Sequence, residues 1–396
     1  MKRFLTLLLV LTMVLSMAAC GNDAPETTGA PETTTPVETT APIEESSDSK
    51  LVSLGMMDIQ YATEFSIELF EGGYRMVNDN LSGGRILVVP EGMSVPADLD
   101  ADVQVLQLPV TNAYICGTNV VAMCDAIGAI DKVTLVGADS TFHFQSINDQ
   151  LDSGYTKFAG GYSTDPDYEM IATEGTQLVI WNGTEEEVIQ KFHDLGIVVI
   201  CEENTNEPSL YARMEWWRCL GVLLGVEEQA NAYFDDQYAR IKAYEEGDDL
   251  GIVVGMGAMS TSSGKFFSRK SGDFQADYIR YAGGTYNLED VEVGNGGSLT
   301  MTPEDFYLRF KDVDVLIWSL SGPTSMEELA EIYPSIVDFK AYQNDQIYLQ
   351  AKSYIQLGAN DPATFVSNVH TILTSDDPDV TTEYFIRLPW ASDVAE

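Results

Sequence analysis

The stretch Ser209–Glu246, SLYARMEWWRCLGVLLGVEEQANAYFDDQYARIKAYEE, decides how the rest of the chain is organised. Its apolar residues recur at intervals of three and four, the spacing that gives a helix one apolar face. These residues are Leu220, Leu223, Leu224, Ala230, Phe234, Tyr238 and Ile241. Gly225 stands where a C′ glycine ends a helix, and two glutamates follow in the first turn of the next, where the helix dipole favours carboxylates. The stretch therefore predicts two consecutive helices.

The second of these helices, residues 226–248, is long enough to connect two lobes, since about twenty residues rising 1.5 Å each span roughly 30 Å. A surface helix of one large domain is the alternative interpretation. A chain of 396 residues with 45% hydrophobic content favours two domains, because it can bury more than one core.

The first fifty residues have the pattern of an export signal and a tether. Residues 1–19 combine a basic start, an apolar run and small residues before Cys20. This end resembles the bacterial lipobox, so Cys20 is the predicted lipidation site; an ordinary signal peptide with an incidental cysteine is the alternative. Residues 20–50 are mainly Thr, Pro, Glu, Ser and Ala, which predicts a disordered tether. We expect attachment to the extracytoplasmic face of the cell membrane.

The charge of the chain excludes several functions. It carries 62 acidic against 21 basic residues, a formal net charge of −41. Such a surface repels nucleic acid and anionic lipid headgroups, so we expect no nucleic-acid partner. No apolar run after residue 20 is long enough to span a bilayer. Contact with the membrane is therefore expected through the lipid anchor alone.

Four cysteines remain beyond Cys20, namely Cys116, Cys124, Cys201 and Cys219. They lack CxxC spacing and stand in apolar contexts, which favours buried thiols over a metal site. An exported protein permits disulfides, and the sequence does not choose a pairing.

Both halves of the chain alternate short Val- and Ile-rich runs with helical patterns, after a predicted hairpin at residues 64–77. The predicted strands are 85–90, 103–109, 132–138, 177–181, 197–200, 250–254, 313–318 and 346–349, and the predicted helices are 114–127, 167–173, 184–195, 274–282, 303–310 and 361–373. This alternation is typical of parallel sheets covered on both faces. We predict two α/β lobes with mainly parallel central sheets, residues 51–225 and 249–396, joined by one long helix with a ligand cleft between them.

Five phrases, in this order, resemble the substrate-binding lipoproteins of ABC importers for iron chelates, haem and cobalamin. They are VLQLPVTNAYICGTNVVAMCDAIGAIDKVTLVG, YEMIATEGTQLVIWNGTEEEVIQKFHDLGIVVI, RMEWWRCLGVLLGVEEQANAYFDD, ADYIRYAGGTYNL and LTMTPEDFYLRFKDVDVLIW. The resemblance implies two lobes with a rigid interlobe helix and a monomer that works with an ABC permease dimer and its ATPase. Two departures concern the ligand: Gly175-Thr176-Gln177 replaces the family's Pro-Asp, and the loop 140–166 is long and polar.

The resemblance also implies a docking role for one acidic residue on each lobe. The matching phrases are YEMIA and TPEDF, which give Glu169 and Glu304. Exposed carboxylates near helix starts can register a partner that carries arginines. In so acidic a chain, solvated helix charges are the alternative.

The candidate ligand residues are aromatic or basic. Aromatic faces suit a flat macrocycle or chelate, and four aromatic residues follow or end predicted strands; these are Tyr114, Trp181, Trp318 and Tyr354. Arg213 and Trp216 precede the long helix and are expected to face the cleft. The phrase GKFFSRKSGDF is expected to form a loop that holds an anionic chelate, through Lys265, Phe266, Phe267, Arg269 and Lys270. Core packing is the alternative for the four aromatic residues, and a solvated basic loop is the alternative for the phrase. For Arg213 the alternative is a structural role, in which Glu215 pairs with Arg213 or Arg218.

The three histidines are too few for a site that captures a naked metal ion. They are His143, His193 and His370, of which His143 alone lies in a predicted loop. These residues favour an intact organic chelate over a naked ion, and predict no metal site and no other cofactor. The resemblance, together with the basic aromatic phrase, implies an iron chelate of the siderophore type as the transported ligand, with haem or cobalamin as the alternative.

An enzyme is the competing class, followed by a sensor or adhesin on the same scaffold. No GxSxG, P-loop or HExxH motif occurs in the chain. We therefore expect no catalytic residues.

Overall fold

The computed structural model describes residues 50–138, 142–162, 164–260, 262–294, 296–319, 322–377 and 379–391. The predicted signal peptide, Cys20 and nearly all of the predicted tether lie outside the described residues. Within these ranges, no helix combines the length and apolar character needed to cross a bilayer.

The N-terminal half begins with a five-stranded sheet in the order β1-β2-β3-β4-β5. Its strands are β1 Ser53–Met56, β2 Phe65–Phe70, β3 Arg75–Asp79, β4 Arg85–Val89 and β5 Val103–Gln107. The first four are antiparallel and β5 joins β4 in parallel. The hairpin predicted at residues 64–77 is confirmed as β2 and β3.

A second sheet, wholly parallel, follows in the order β10-β9-β6-β7-β8. Its strands are β6 Ala113–Ile115, β7 Val133–Val136, β8 Lys157–Phe158, β9 Leu178–Trp181 and β10 Val198–Cys201, and the helices between them are α1 Thr118–Ala126, α2 Gln145–Ser153, α3 Tyr168–Thr173 and α4 Glu186–Asp194. The helix predicted from Tyr114 was wrong at its start. Residues 113–115 pair with β7 and β9 as a strand, and α1 begins at Thr118.

The stretch 209–246 forms two helices, α5 Leu210–Leu224 and α6 Glu227–Glu245, as predicted. Ser209 caps α5 by accepting the amide proton of Ala212. Gly225 ends it in the left-handed conformation at φ 71°, which a side chain would disfavour. Every residue of α5 except Arg218 is buried, whereas α6 keeps an exposed face. The helix that the core surrounds is thus α5.

Both halves of the chain meet at these two helices. Helix α5 packs on α1, and α6 lies along α5. The first turn of α6 also carries Glu227, which pairs with Arg75 of β3 at 3.2 Å. The lobe boundaries at residues 225 and 249 stay a prediction.

The C-terminal half contains one mixed sheet in the order β14-β12-β11-β15-β16-β17, with β13 also paired to β11. Its strands are β11 Val253–Met259, β12 Phe266–Arg269, β13 Thr285–Tyr286, β14 Ser298–Met301, β15 Val315–Trp318, β16 Ile347–Gln350 and β17 Phe385–Arg387. Its helices are α7 Phe274–Tyr281, α8 Pro303–Phe310, α9 Met326–Ile332, α10 Lys340–Gln343, α11 Tyr354–Asn360 and α12 Pro362–Thr374. Strands β13, β11, β15 and β16 are parallel, and the others are antiparallel. The predicted mixed α/β class is confirmed.

A buried carboxylate fixes the segment before β2 against α5. Glu215 accepts the backbone N–H groups of Gln60, Tyr61 and Ala62 at 2.8, 2.8 and 2.7 Å. Both carboxylate oxygens are thereby hydrogen-bonded, so this charge is buried with its partners in place.

The four cysteines described by the structure are buried and free, so no disulfide forms among them. The prediction of buried thiols is confirmed. Burial raises the pKa of the Cys116 thiol to about 11 and that of Cys201 to about 12.

Candidate functional site

A cavity of about 350 Å³ lies where residues of both halves meet beside α5. The N-terminal half contributes Thr118, Asn119, Tyr162, Asn182, Thr205 and Asn206, α5 contributes Arg213, and the C-terminal half contributes Arg269, Asp273, Phe274, Gln275, Tyr278, Gly297, Ser298, Tyr354, Gly358 and Ala359. Its volume lies at the lower end of the range for small-molecule sites.

The wall from the N-terminal half is neutral and polar. Thr118 and Asn119 form the first turn of α1, just beyond the carboxyl end of β6, and Asn182 directly follows the last residue of β9. The N-cap residue Gly117 has no side chain to accept the first amide protons of α1. Among the described residues, none accepts the backbone N–H of Thr118 or of Asn119. The start of α1 thus faces the cavity with free donors and the positive end of its dipole.

Arg213 enters the cavity from α5 as a buried cation. Its side chain is 6% exposed, and its guanidinium carbon lies 3.9 Å from the centre of the Phe274 ring. Within the ranges that the structure describes, this guanidinium makes no hydrogen bond and no ion pair within 4 Å. Burial lowers the pKa of Arg213, because a charged group in the interior loses its hydration. A buried charge without partners is costly, and it suits a site that an anion completes.

Arg269, at the end of β12, is a second cation in the cavity wall, and its neighbours hold it in place. Its Nη1 donates to Ser298 Oγ at 3.2 Å. With the Gln275 amide turned so that its oxygen faces Arg269, the orientation that suits the surrounding donors, this oxygen accepts from Nη2 and Nε at 2.8 and 2.9 Å. The Asp273 carboxylate lies 3.9 Å away and is itself occupied by the amide protons of Gln275 and Gly297. Arg269 is therefore a cation fixed in the cavity wall, and each of its three nitrogens already donates to a protein oxygen.

The charges of the lining contrast with those of the whole chain. Two guanidinium groups face one carboxylate in the cavity, although the chain as a whole carries a net charge of −41. Such a local reversal of charge favours an anionic ligand.

A buried acid, Glu202, lies outside the lining of the cavity. It is 1% exposed, and burial raises the pKa of its carboxyl from 4.5 to about 7, while Arg213 acts in the opposite direction. Its Oε1 accepts the amide proton of Asn204 at 2.6 Å, whereas Oε2 has no partner among the described residues.

Three of the predicted ligand residues meet in this cavity: Arg213, Arg269 and Tyr354. Tyr354 stands at the start of α11. Their role in binding stays a prediction.

The other predicted aromatic residues require a correction, because the structure places them in the core or away from the cavity lining. Tyr114, Trp216 and Trp318 are at most 1% exposed. Trp216 donates its Nε1 proton to Glu207 at 2.8 Å, which satisfies its one polar group inside the core. In sheets covered on both faces, a large aromatic residue at a strand end is accommodated by the core as readily as by a cleft.

Tyr114 and Trp181 instead support the loop that carries Tyr162. The Tyr114 hydroxyl donates to the Gly160 carbonyl oxygen at 2.6 Å. A Cβ atom at Gly161, where φ is 111°, would lie 2.0 Å from that hydroxyl and 3.1 Å from the Trp181 ring. The absence of a side chain at Gly161 lets the loop pack closely and brings Tyr162, which is 58% exposed, to the cavity.

The predicted basic loop is a strand, which separates its members. Phe266 is buried against Phe306 with ring centres 4.3 Å apart, whereas Phe267 and Arg269 point to the opposite face of β12. Lys270 pairs with Glu292 at 2.7 Å, and Lys265 is exposed before the strand. Of the five residues, Arg269 alone lines the cavity.

Glu169 and Glu304 are exposed in the first turns of α3 and α8. Asp167 and Thr302 cap these helices through their side chains, so neither glutamate is needed as a cap. Within the described ranges neither carboxylate has a hydrogen bond or an ion pair, and their docking role stays a prediction.

Sequence reasoning missed the polar residues of the N-terminal wall, in particular Asn119, Tyr162, Asn182 and Asn206. One signal was available: Asn182 directly follows a predicted strand, at the edge where open α/β sheets bind ligands. Among the described residues, no three His, Cys, Asp or Glu side chains are grouped to hold a metal ion.

No family model matches the chain. It is similar to an uncharacterized lipoprotein of Methanocaldococcus jannaschii, with 23% identity over 411 residues that cover 98% of this chain and all of the relative. Among solved structures, a periplasmic haem-binding protein of Vibrio cholerae matches with a TM-score of 0.53 and 15% identity, over 67% of this chain and 100% of that one. An Fe³⁺-hydroxamate transport protein of Saccharomonospora viridis matches with a TM-score of 0.53 and 15% identity, over 67% and 94%.

A periplasmic vitamin B12-binding protein of Vibrio cholerae matches with a TM-score of 0.50 and 16% identity, over 67% of this chain and 97% of that one. The chain therefore has the two-lobed α/β fold of periplasmic solute-binding proteins. The resemblance that the sequence suggested is confirmed at the level of the fold.

Proposed function

We propose that this chain is an extracytoplasmic solute-binding lipoprotein that captures an anionic iron chelate and delivers it to an ABC permease. The observation that carries the proposal is the cavity beside α5, in which the buried Arg213 has no hydrogen bond or ion pair among the described residues and Arg269 supplies a second positive charge. The similar solved structures include proteins named for Fe³⁺-hydroxamate, haem and vitamin B12, which supports an organic chelate as the class of ligand.

A titration of the full chain in detergent with ferric chelates of different charge, followed by tryptophan fluorescence, tests the capture. Submicromolar binding of at least one ferric chelate is expected. The absence of binding across ferric catecholates, hydroxamates and polycarboxylates, haem and cobalamin would overturn the proposal.

Delivery is assigned to Glu169 and Glu304, which present exposed carboxylates to a permease that carries arginines. The double change Glu169→Ala/Glu304→Ala is expected to reduce uptake of a radioactive chelate by cells about tenfold while binding is unchanged. The matched control is Glu186→Ala/Glu228→Ala, which removes two exposed first-turn glutamates from α4 and α6. Equal uptake by both double variants would show that docking lies elsewhere.

Attachment is assigned to Cys20, the acylated cysteine of the proposed lipoprotein. Labelled palmitate is expected to enter the wild-type chain and not Cys20→Ser, which should also leave the membrane fraction. Retention of label by Cys20→Ser would refute the anchor.

A further inference from the structure

Two separate groups of hydrogen-bond donors, each with positive potential, face the cavity. The first is the start of α1, where the backbone N–H groups of Thr118 and Asn119 find no acceptor among the described residues. The second is the pair Arg213 and Arg269. Free helix-terminal N–H groups bind oxyanions, and a buried guanidinium without partners on the same cavity independently indicates an anionic ligand.

We propose that the ligand carries two separate oxyanion groups, one held by the start of α1 and the other by Arg213 and Arg269. This inference rests on the proposed function and specifies its ligand. The fitting class is a compact, oxygen-rich chelate with free carboxylates, not a macrocycle.

The polarity of the cavity wall supports this class. Asn119, Asn182 and Asn206 supply amide groups, each of which already donates one hydrogen bond within the chain. Thr118 and Thr205 supply hydroxyls. A tetrapyrrole would bury a broad apolar plate against this wall and leave the hydroxyls and the remaining amide donors and acceptors without partners, which carries a free-energy cost. A chelate rich in carboxylate and hydroxyl oxygens would satisfy them.

The charge of the cavity supports two anionic groups instead of one. Two guanidinium groups outnumber the single Asp273 carboxylate, whose oxygens are already occupied by backbone amides. The helix end adds roughly half a positive charge. A ligand with one anionic group would leave one of the two positive sites without a counter-charge.

The start of α1 can be tested by removing a single N–H group. Proline is tolerated at the first position of a helix, and the residue before it must be extended. Gly117 already is, with φ −87° and ψ 136°. Thr118→Pro therefore deletes the Thr118 hydroxyl and one backbone N–H group and keeps the helix. Thr118→Ala also deletes the hydroxyl but keeps the backbone N–H group.

Isothermal titration of the full chain in detergent with ferric citrate measures the effect. Thr118→Pro is expected to bind about five- to tenfold more weakly than Thr118→Ala, and Arg213→Gln about 100-fold more weakly than wild type. Arg309→Gln makes the same change at an exposed arginine that pairs with Asp290 outside the cavity, and its affinity should equal that of wild type. Amide NMR shifts of Thr118 and Asn119 on titration provide a readout independent of the variants.

The outcomes separate this inference from the function on which it rests. Equal affinities of the two Thr118 variants, with unshifted amides, would overturn the α1 site. Tight binding of the cationic hydroxamate ferrioxamine or of haem, insensitive to Arg213→Gln, would overturn the inference and leave iron-chelate capture standing. Iron-free citrate binding as tightly as ferric citrate would support the two anion sites and refute the iron chelate. No binding of any probe would refute both.

Discussion

Arg213 and Glu215 lie two residues apart on α5, and both side chains are buried, at 6% and 0% exposure. Glu215 faces the segment before β2 and accepts three backbone amide protons at 2.7–2.8 Å. Arg213 faces the cavity, where the described residues offer its guanidinium the Phe274 ring and no hydrogen bond.

The difference teaches what each buried charge does for the protein. A charge whose hydrogen bonds are made inside the chain contributes to folding, because its loss leaves several groups unpaired. A buried charge such as Arg213, which has no hydrogen bond among the described residues, costs folding free energy, and we propose that it gains its partner on ligand binding. One helix thus carries a stabilising charge on one side and, in the proposed function, a binding charge on the other.

Glu215→Ala is expected to have the largest effect on stability, a loss of about 3–5 kcal/mol, because three buried amide protons lose their acceptor. Urea unfolding followed by far-UV circular dichroism measures it. The control Glu228→Ala removes an exposed glutamate in the first turn of α6 and should change stability by less than about 1 kcal/mol. A loss of similar size in both variants would break the comparison.

Glu202 is expected to make the free energy of unfolding depend on pH, with a total change on the order of 3 kcal/mol. Its folded pKa, about 7, lies above the ordinary 4.5, because burial disfavours the carboxylate. Between these values the folded protein keeps a proton that the unfolded chain releases, so this contribution to stability falls as pH rises from 4.5 to 7.

Glu202→Gln stays neutral throughout and retains an acceptor for Asn204, so it should match wild type near pH 4 and exceed it at pH 8. Urea unfolding across this range measures both curves. Parallel curves for the two proteins would show that Glu202 titrates normally.

Arg213→Met is expected to raise the stability of the ligand-free protein by about 1–2 kcal/mol at neutral pH, because methionine keeps the packing on Phe274 and removes a desolvated charge. Thermal unfolding without ligand measures the change. Arg213 also attracts the Glu202 carboxylate, so its removal should move the Glu202 midpoint to higher pH. A marked loss of stability would mean that Arg213 holds the fold together, as Glu215 does.

Lys270→Gln should have the smallest effect, between 0 and about 1 kcal/mol, because its ion pair with Glu292 is solvated. Urea unfolding at low and high salt measures the change, and the small difference should shrink further as salt rises. A change above about 2 kcal/mol would show that this exposed pair behaves like a buried one.

The features that local chemistry specifies were predictable from the sequence. Gly225 adopts the left-handed conformation that ends α5, and the Val- and Ile-rich runs form strands. Arg213 was found because it stands in the phrase YARMEWW, which precedes the long helix. In each case the neighbouring residues carry the information.

The side of an element that faces the cavity was not predictable in the same way. Tyr114 and Trp318 end or occupy strands whose two faces are both covered, so burial on either face satisfies them. The sequence around Phe266 has the composition of a basic loop. The segment is a strand because it pairs with β11 and β14. Asn119, Asn182 and Asn206 are ordinary loop and helix-start residues, and the tertiary fold alone brings them together.

The four free cysteines have a consequence for the lifetime of the folded state. Their thiols are shielded by burial, which raises the pKa of Cys116 to about 11 and that of Cys201 to about 12 and suppresses the reactive thiolate. In an oxidising medium, one complete unfolding event exposes all four to disulfide formation and traps the chain in non-native pairings. Unfolding then becomes irreversible, and the rate of unfolding, instead of the equilibrium, sets how long the protein survives.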